Sequence, residues 1–277
     1  MEVRYTTDPQ GYKRMTTEEL RKMFLIDTLF KSGEVNLVYT DTDRAIVGSA
    51  VPTDKPLQLL SSKKEMAAEY FAERREIGVF NIGAAGKVKT DDTEFSLSKY
   101  DCLYIGKGTK TIEFTSDNKD NPAQFYIISY PATTVFPTVL IKHSEVEPLH
   151  LGASETINKR RLYKYIYPDR LKTNQLVMGF TTLEEGSGWN TMPSHTHQRR
   201  TEIYMYFEIK PEALVFHFMG EPDETRHLIV RDKQVTISPS YSIHTGAGTS
   251  NYSFIWAMGG ENQAFDDMDG ISISTMQ

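Results

Sequence analysis

The stretch Pro193-Ser-His-Thr-His-Gln-Arg-Arg-Thr-Glu-Ile-Tyr-Met-Tyr-Phe207 decides the reading of this chain. His195 and His197 stand two residues apart, and in an extended strand residues i and i+2 point to one face. Their rings can therefore converge on one ion. Glu202 opens a β-prone run, so its carboxylate can return to the same face from the next strand segment. His244 closes the run Ile237-Ser-Pro-Ser-Tyr-Ser-Ile-His244, where a strand meets a turn. Three imidazoles and one carboxylate suit Zn, Fe, Mn, Co or Ni by ligand type, and Zn takes such donors in a near-tetrahedral set. The competing reading is a chance clustering of core and surface histidines.

Strand signals extend from this stretch in both directions. Around it lie 176–183, 201–207, 213–218, 227–230, 234–237 and 252–257. Upstream lie 35–39, 45–51, 57–59, 76–82, 86–89, 94–97, 101–105, 111–114 and 123–129. Short β-prone runs between Gly, Asp, Asn and Lys turns predict an all-β sandwich or barrel, not βαβ units. Thr16-Thr-Glu-Glu19 is a capping-box pattern, and Leu20, Met23 and Phe24 follow at helical spacing. A short helix is expected over about 17–26, and a second around 64–70. The expected organisation is a metal-free barrel over 1–135, a linker over 136–175 and a metal-binding barrel over 176–277. The acidic tail from Gly259 to Asp269 is expected to leave that barrel.

The two strand series read as copies of one plan. Glu73-Arg-Arg-Glu-Ile-Gly-Val-Phe80 echoes Gln198-Arg-Arg-Thr-Glu-Ile-Tyr-Met-Tyr-Phe207. The seven histidines are His143, His150, His195, His197, His217, His227 and His244, so residues 1–135 have none. Only the second copy can supply a cluster of imidazoles.

Bulk properties narrow the function classes. A net charge of -6 and the lack of a Lys/Arg tract argue against non-specific nucleic-acid binding. The single cysteine, Cys102, cannot form an intrachain disulfide and reads as buried in a strand. No run of eighteen apolar residues exists, and the first residues lack a signal-peptide core. The expected compartment is the cytosol.

The spacing His-x-His-x4-Glu, followed by Pro239-x4-His244, resembles the paired metal motifs of the cupin superfamily. One departure is Tyr241, where the second motif usually has glycine. The likeness goes further. Glu73–Gly83, Trp189–Arg200, Glu224–His227, Ser238–His244 and Gly260–Asp269 resemble the 5-keto-4-deoxyuronate isomerase family. That family is a duplicated cupin with short helices, and the resemblance spans nearly the whole chain, including Arg44. It implies one Zn2+ per chain on His195, His197, Glu202 and His244, a cytoplasmic homohexamer and a role in pectin breakdown. It also implies conversion of 5-dehydro-4-deoxy-D-glucuronate to 3-deoxy-D-glycero-2,5-hexodiulosonate through an enediol.

Four protein ligands would fill a tetrahedral zinc, as structural sites do. A catalytic ion needs a fifth position or a departing carboxylate. A purely structural ion would be buried with no cavity beside it. For the substrate carboxylate, Arg226 and Arg199 are the candidates, with Arg160, Arg161 and Arg200 behind them and Trp189 as a wall. Arg199 and Arg200 alternate in direction, so only one should face the pocket. His217, Tyr204 and Tyr206 are the candidates for proton transfer, followed by His227, and Trp256 is a further wall. The bland reading of each is core packing. Rival functions are another sugar-acid isomerase, such as 5-deoxyglucuronate isomerase, an Fe- or Mn-dependent dioxygenase, and a non-catalytic sugar-binding cupin.

Overall fold

Arg75–Asn81 and Arg200–Phe207, whose sequences echo each other, are both strands buried along their entire length. Such continuous burial belongs to central strands covered on both faces. A computed structural model describes all of residues 1–277. It divides into two compact units. The first comprises Met1–Arg4, Thr28–Glu147 and Tyr165–Leu176; the second comprises Tyr5–Asp27, Pro148–Lys164 and Val177–Gln277.

The first unit has a seven-stranded and a four-stranded sheet. The larger sheet runs Glu2–Arg4, Val35–Thr40, Ile46–Ala50, Phe125–Pro131, Arg75–Asn81, Cys102–Ile105 and Val139–Ile141. The smaller runs Leu57–Gln58, Ile112–Ser116, Gly86–Thr90 and Thr93–Leu97. Ile77, Val79 and Ile127 from the first meet Val88, Ile112 and Phe114 from the second in one buried cluster. Cys102 is fully buried, and burial pushes its thiol far above the ordinary range, which makes it inert.

The second unit repeats the plan. Its seven-stranded sheet runs Leu149–Leu151, Arg160–Ile166, Val177–Leu183, Ser253–Gly260, Arg200–Phe207, Gln234–Ser238 and Leu25–Ile26. Its four-stranded sheet runs Trp189–Asn190, Thr245–Gly248, Val215–Glu221 and Glu224–Val230. The order matches the first unit position for position, which supports the duplication. Ladder register then aligns the copies. Glu76 faces Tyr130 and Ile77 faces Ile105; Glu202 faces Met258 and Ile203 faces Ile237. Glu76 therefore occupies in the first copy the place of Glu202 in the second.

The chain is all-β as expected, and in each unit no hydrogen-bonded ladder joins the seven-stranded sheet to the four-stranded one. Other expectations are corrected. Residues 136–175 are not a linker, since they hold Val139–Ile141, Leu149–Leu151 and Arg160–Ile166. The helix at Thr17–Phe24 has its capping box from Thr16 and Glu19, but it belongs with the C-terminal unit. Leu25 and Ile26 pair with Thr236 and Val235 as an edge strand there, and Arg21 donates to the Ile229 carbonyl. Tyr241, the residue that departs from the cupin pattern, helps hold this segment: it stacks on Tyr12 and donates to the Thr7 carbonyl. Finally, the acidic tail returns instead of leaving, because Asp269 and Gly270 pair with Thr196 and His195. The second helix is shorter than expected, at Lys63–Met66.

Candidate metal centre

His195 sits on the two-residue strand His195–Thr196, and His197 follows it with the same outlook. Glu202 is the third residue of Arg200–Phe207, and His244 immediately precedes Thr245–Gly248. A turn closed by Ser242 N donating to Pro239 O delivers His244 to its place. One ligand atom from each of the four residues lies within 4.8 Å of all the others. His244 Nε2 is 3.0 Å from His195 Nε2 and 2.9 Å from Glu202 Oε2. His197 Nε2 is 3.2 Å from the same carboxylate oxygen.

These contacts fit a cation. His197 Nε2 is buried without a hydrogen bond of acceptable geometry, although it aims at the cluster. The far nitrogens, Nδ1 of His197 and of His244, lie 3.4 Å from the carbonyls of Arg200 and Ser242. Those carbonyls can accept from Nδ1, the tautomer that leaves Nε2 free to bind a cation. Electrostatics agrees. Burial, reinforced by His244, lowers the His195 pKa to about 3, so the ring is neutral. Burial alone would raise Glu202, but the neighbouring His244 and His197 rings hold it well below the usual carboxylate range. Neutral imidazole and ionised carboxylate are the metal-binding forms.

A cavity of about 320 Å³ opens beside these ligands, within the size range of small-molecule sites. The purely structural reading called for no such space. His195, His197 and Glu202 line it together with Tyr204, Arg160, Arg200 and Trp256. Thr181, Thr191, Met192, Pro193, Phe254, Met258, Leu149, Leu151 and Leu162 add to the wall. Phe265 and Met268 of the returning tail complete it. The tail is held by Arg199, which pairs with Asp267 and Asp269, and by Arg200. Arg200 donates to the carbonyls of Ala264, Phe265 and Asp267. The Arg199 hydrogen bond draws Asp267 down to about 2.

The other predicted residues divide. Tyr204 lines the cavity, with its hydroxyl 3.2 Å from Thr191 Oγ1, and burial raises its phenol well above the ordinary value. Tyr206 and His217 lie behind the wall, joined by a 2.7 Å hydrogen bond between the hydroxyl and Nδ1. His217 is fully buried, which lowers its pKa to about 3. The core reading of His217 thus holds, and Tyr206 joins it there. Trp189 is also off the cavity: it stacks on Phe218 and donates to Thr245 Oγ1. Arg226 is spent on Glu224 and the Lys13 carbonyl, and Arg199 on the tail. Arg161 and His227 are exposed and away from the site. Of the adjacent arginines only Arg200 faces the cavity, as strand alternation required.

Phe254 and Met258 were missed as wall residues, although they flank Trp256 with a period of two on one strand. Thr181 and Thr191 carried no comparable signal. Phe265 and Met268 reach the site only because the tail folds back.

Fold and site together define a duplicated cupin with one His3Glu centre, carried by its second copy. Residues 25–272 match the family described as KduI/IolB. Over 277 residues and the full length of both chains, the protein is 52% identical to the 4-deoxy-L-threo-5-hexosulose-uronate ketol-isomerase of Caldicellulosiruptor bescii. The enzyme of the same description from Lachnoclostridium phytofermentans is 51% identical over the same extent. Among solved structures, an IolB-like protein from Salmonella typhimurium superposes with a TM-score of 0.73 at 16% identity, covering 90% of this chain and 96% of that one. That likeness concerns the fold alone. The chain belongs to the KduI/IolB family.

Proposed function

We infer that this chain is a ketol-isomerase acting on 4-deoxy-L-threo-5-hexosulose uronate, the keto-acid also called 5-dehydro-4-deoxy-D-glucuronate. The product is 3-deoxy-D-glycero-2,5-hexodiulosonate. The observation that carries this is full-length identity of 52% to a relative so described, in a chain whose His3Glu cluster opens on a cavity. The isomerisation moves a proton off the carbon beside one carbonyl and returns a proton to the neighbouring carbon. No atoms are gained or lost.

His195, His197, Glu202 and His244 are the residues to hold a divalent ion, and we take it to be zinc. When bound, such an ion polarises carbonyl and hydroxyl oxygens and offsets the negative charge that develops on them. The protein supplies the rest. Tyr204 keeps its proton, because its phenol is raised far above neutrality, so it can donate a hydrogen bond to a substrate oxygen but cannot act as a resting base. Phe254, Trp256, Met258, Phe265 and Met268 give the cavity an apolar side against which the carbon skeleton of the sugar can pack. Arg199 and Arg200 hold the tail that carries two of those side chains. The absence of a helix long and apolar enough to cross a membrane is compatible with the cytoplasmic location we propose. The homohexamer implied by the family resemblance is part of the same proposal.

The test is an isomerase assay on purified protein before and after chelation, with metal analysis of both samples. Turnover of the keto-uronate that falls at least about 100-fold on chelation and returns with Zn2+ is expected, since charge stabilisation by a metal is worth several kcal/mol. Undiminished turnover in protein free of metal would sink the metal-dependent reading, and oxygen uptake would favour a dioxygenase.

A further inference from the structure

A carboxylate taken into a largely apolar cavity needs a charge-assisted partner. Two guanidinium groups line this cavity, Arg160 and Arg200. They are not equivalent. Both terminal nitrogens of Arg200 are engaged by main-chain carbonyls of the tail, with Nη2 at 3.2 Å from Phe265 O and 3.1 Å from Asp267 O. Only its Nε lacks a partner, which leaves a single donor and no fork.

Arg160 opens the strand Arg160–Ile166, beside the edge strand Leu149–Leu151. Its one hydrogen bond runs from Nη1 to the Asn158 carbonyl at 2.9 Å. Nε and Nη2 form the side of the guanidinium suited to a bidentate carboxylate, and neither is used. No acidic side chain pairs with it, whereas Arg199 and Arg226 each have one. It is half-buried, burial lowers its pKa, and the neighbouring titratable side chains are phenols, Tyr204 and Tyr252, not carboxylates. A guanidinium withdrawn from water with an idle fork and no counter-charge is an anion site awaiting its anion.

We propose that Arg160 binds the substrate carboxylate through Nε and Nη2 and so makes the enzyme select acids over neutral sugars. The same cavity is lined by His195, His197 and Glu202, so a ligand anchored at Arg160 shares its space with the candidate metal cluster. This assignment rests on the isomerase reading above.

The test compares kcat/KM for the keto-uronate and for its methyl ester in wild type, Arg160→Met and Arg160→Lys. Wild type should prefer the acid by roughly 10- to 100-fold, the worth of hydrogen bonds to a charged group. Arg160→Met should reduce that preference to within about threefold, and Arg160→Lys should retain part of it, because it keeps the charge but loses the fork. Circular dichroism and metal content monitor the fold. If Arg160→Met does not fold, Arg160→Lys decides, since an unaltered preference in that variant overturns the assignment. A wild-type preference that survives in Arg160→Met also overturns it and points to Arg200 or the ion. A wild type inactive on both compounds refutes the isomerase reading itself, a different failure from an active enzyme whose selectivity ignores Arg160.

Discussion

Glu76 offers the sharpest prediction, because it holds the place of Glu202 in a copy that has no histidine over residues 1–135. Its carboxylate is fully buried. It accepts from Asn174 N at 2.7 Å, Gln175 N at 2.8 Å and Leu176 N at 2.8 Å. It also accepts from Tyr104 Oη at 2.8 Å and Asn174 Nδ2 at 3.1 Å. The position that joins the His3Glu cluster in one copy anchors consecutive main-chain amides in the other. Replacement with alanine would orphan those amides. Each orphaned buried donor costs about 1–3 kcal/mol, and Asn174 and Gln175 are near enough to the surface for water to offset part of that. A total of about 3–5 kcal/mol follows, at the upper end for single substitutions. For a chain of this size that lowers Tm by roughly 10 °C. Calorimetry should find this loss in Glu76→Ala, with faster hydrogen exchange at residues 174–176 and unchanged metal content, because no ligand of the cluster lies in this unit. A Tm within about 2 °C of wild type with those amides still protected would refute the reasoning.

Two further perturbations probe the second unit. His217 is neutral in the fold, with a pKa of about 3, while the unfolded chain binds a proton below about 6.5. Its contribution is therefore complete above that pH and lost as pH falls toward 3, at about 1.4 kcal/mol per unit. In chelated protein, the stability of wild type relative to His217→Gln should fall by about 2 kcal/mol between pH 6 and 4.5, measured by urea unfolding; a difference independent of pH would contradict a buried neutral ring. For the tail, Arg200→Ala removes buried charged donors to three carbonyls, whereas Arg199→Ala removes a pair screened by water. Hydrogen exchange over 261–270 should accelerate at least about tenfold in Arg200→Ala and only a few-fold in Arg199→Ala; equal, small effects would mean that the tail is held by other contacts.

Much of the site was legible in one dimension. The period-two alternation of a strand is local, so His195 and His197 had to share a face, and Arg199 and Arg200 could not. A capping box is likewise a matter of four adjacent residues, and Thr16 with Glu19 formed it. The echo of Glu73–Phe80 in Gln198–Phe207 was faint in letters but pointed to a repeat that strand order bears out. Full-length likeness to a family did more than any periodicity to specify the chemistry.

What remained hidden depended on contacts between residues far apart in the chain. Leu25 and Ile26 close the edge of a sheet whose partner strand begins at Gln234, and nothing in a helix-plus-two-residue run announces that. The acidic tail carries no local signal for its return; Arg199 pairs with its carboxylates and Arg200 donates to its main-chain carbonyls, and together they bring it back over the cavity. His217 was placed in the core, and Arg160 beside the ligands, by the packing of strands that are remote in sequence. The amino-acid sequence by itself determined which residue types could bind a metal and which strand faces they occupied, because those follow from backbone geometry over a few residues. Only the tertiary structure decided which arginine of that cavity keeps an idle fork and no acidic partner, because an idle hydrogen-bond donor is defined by everything packed around it.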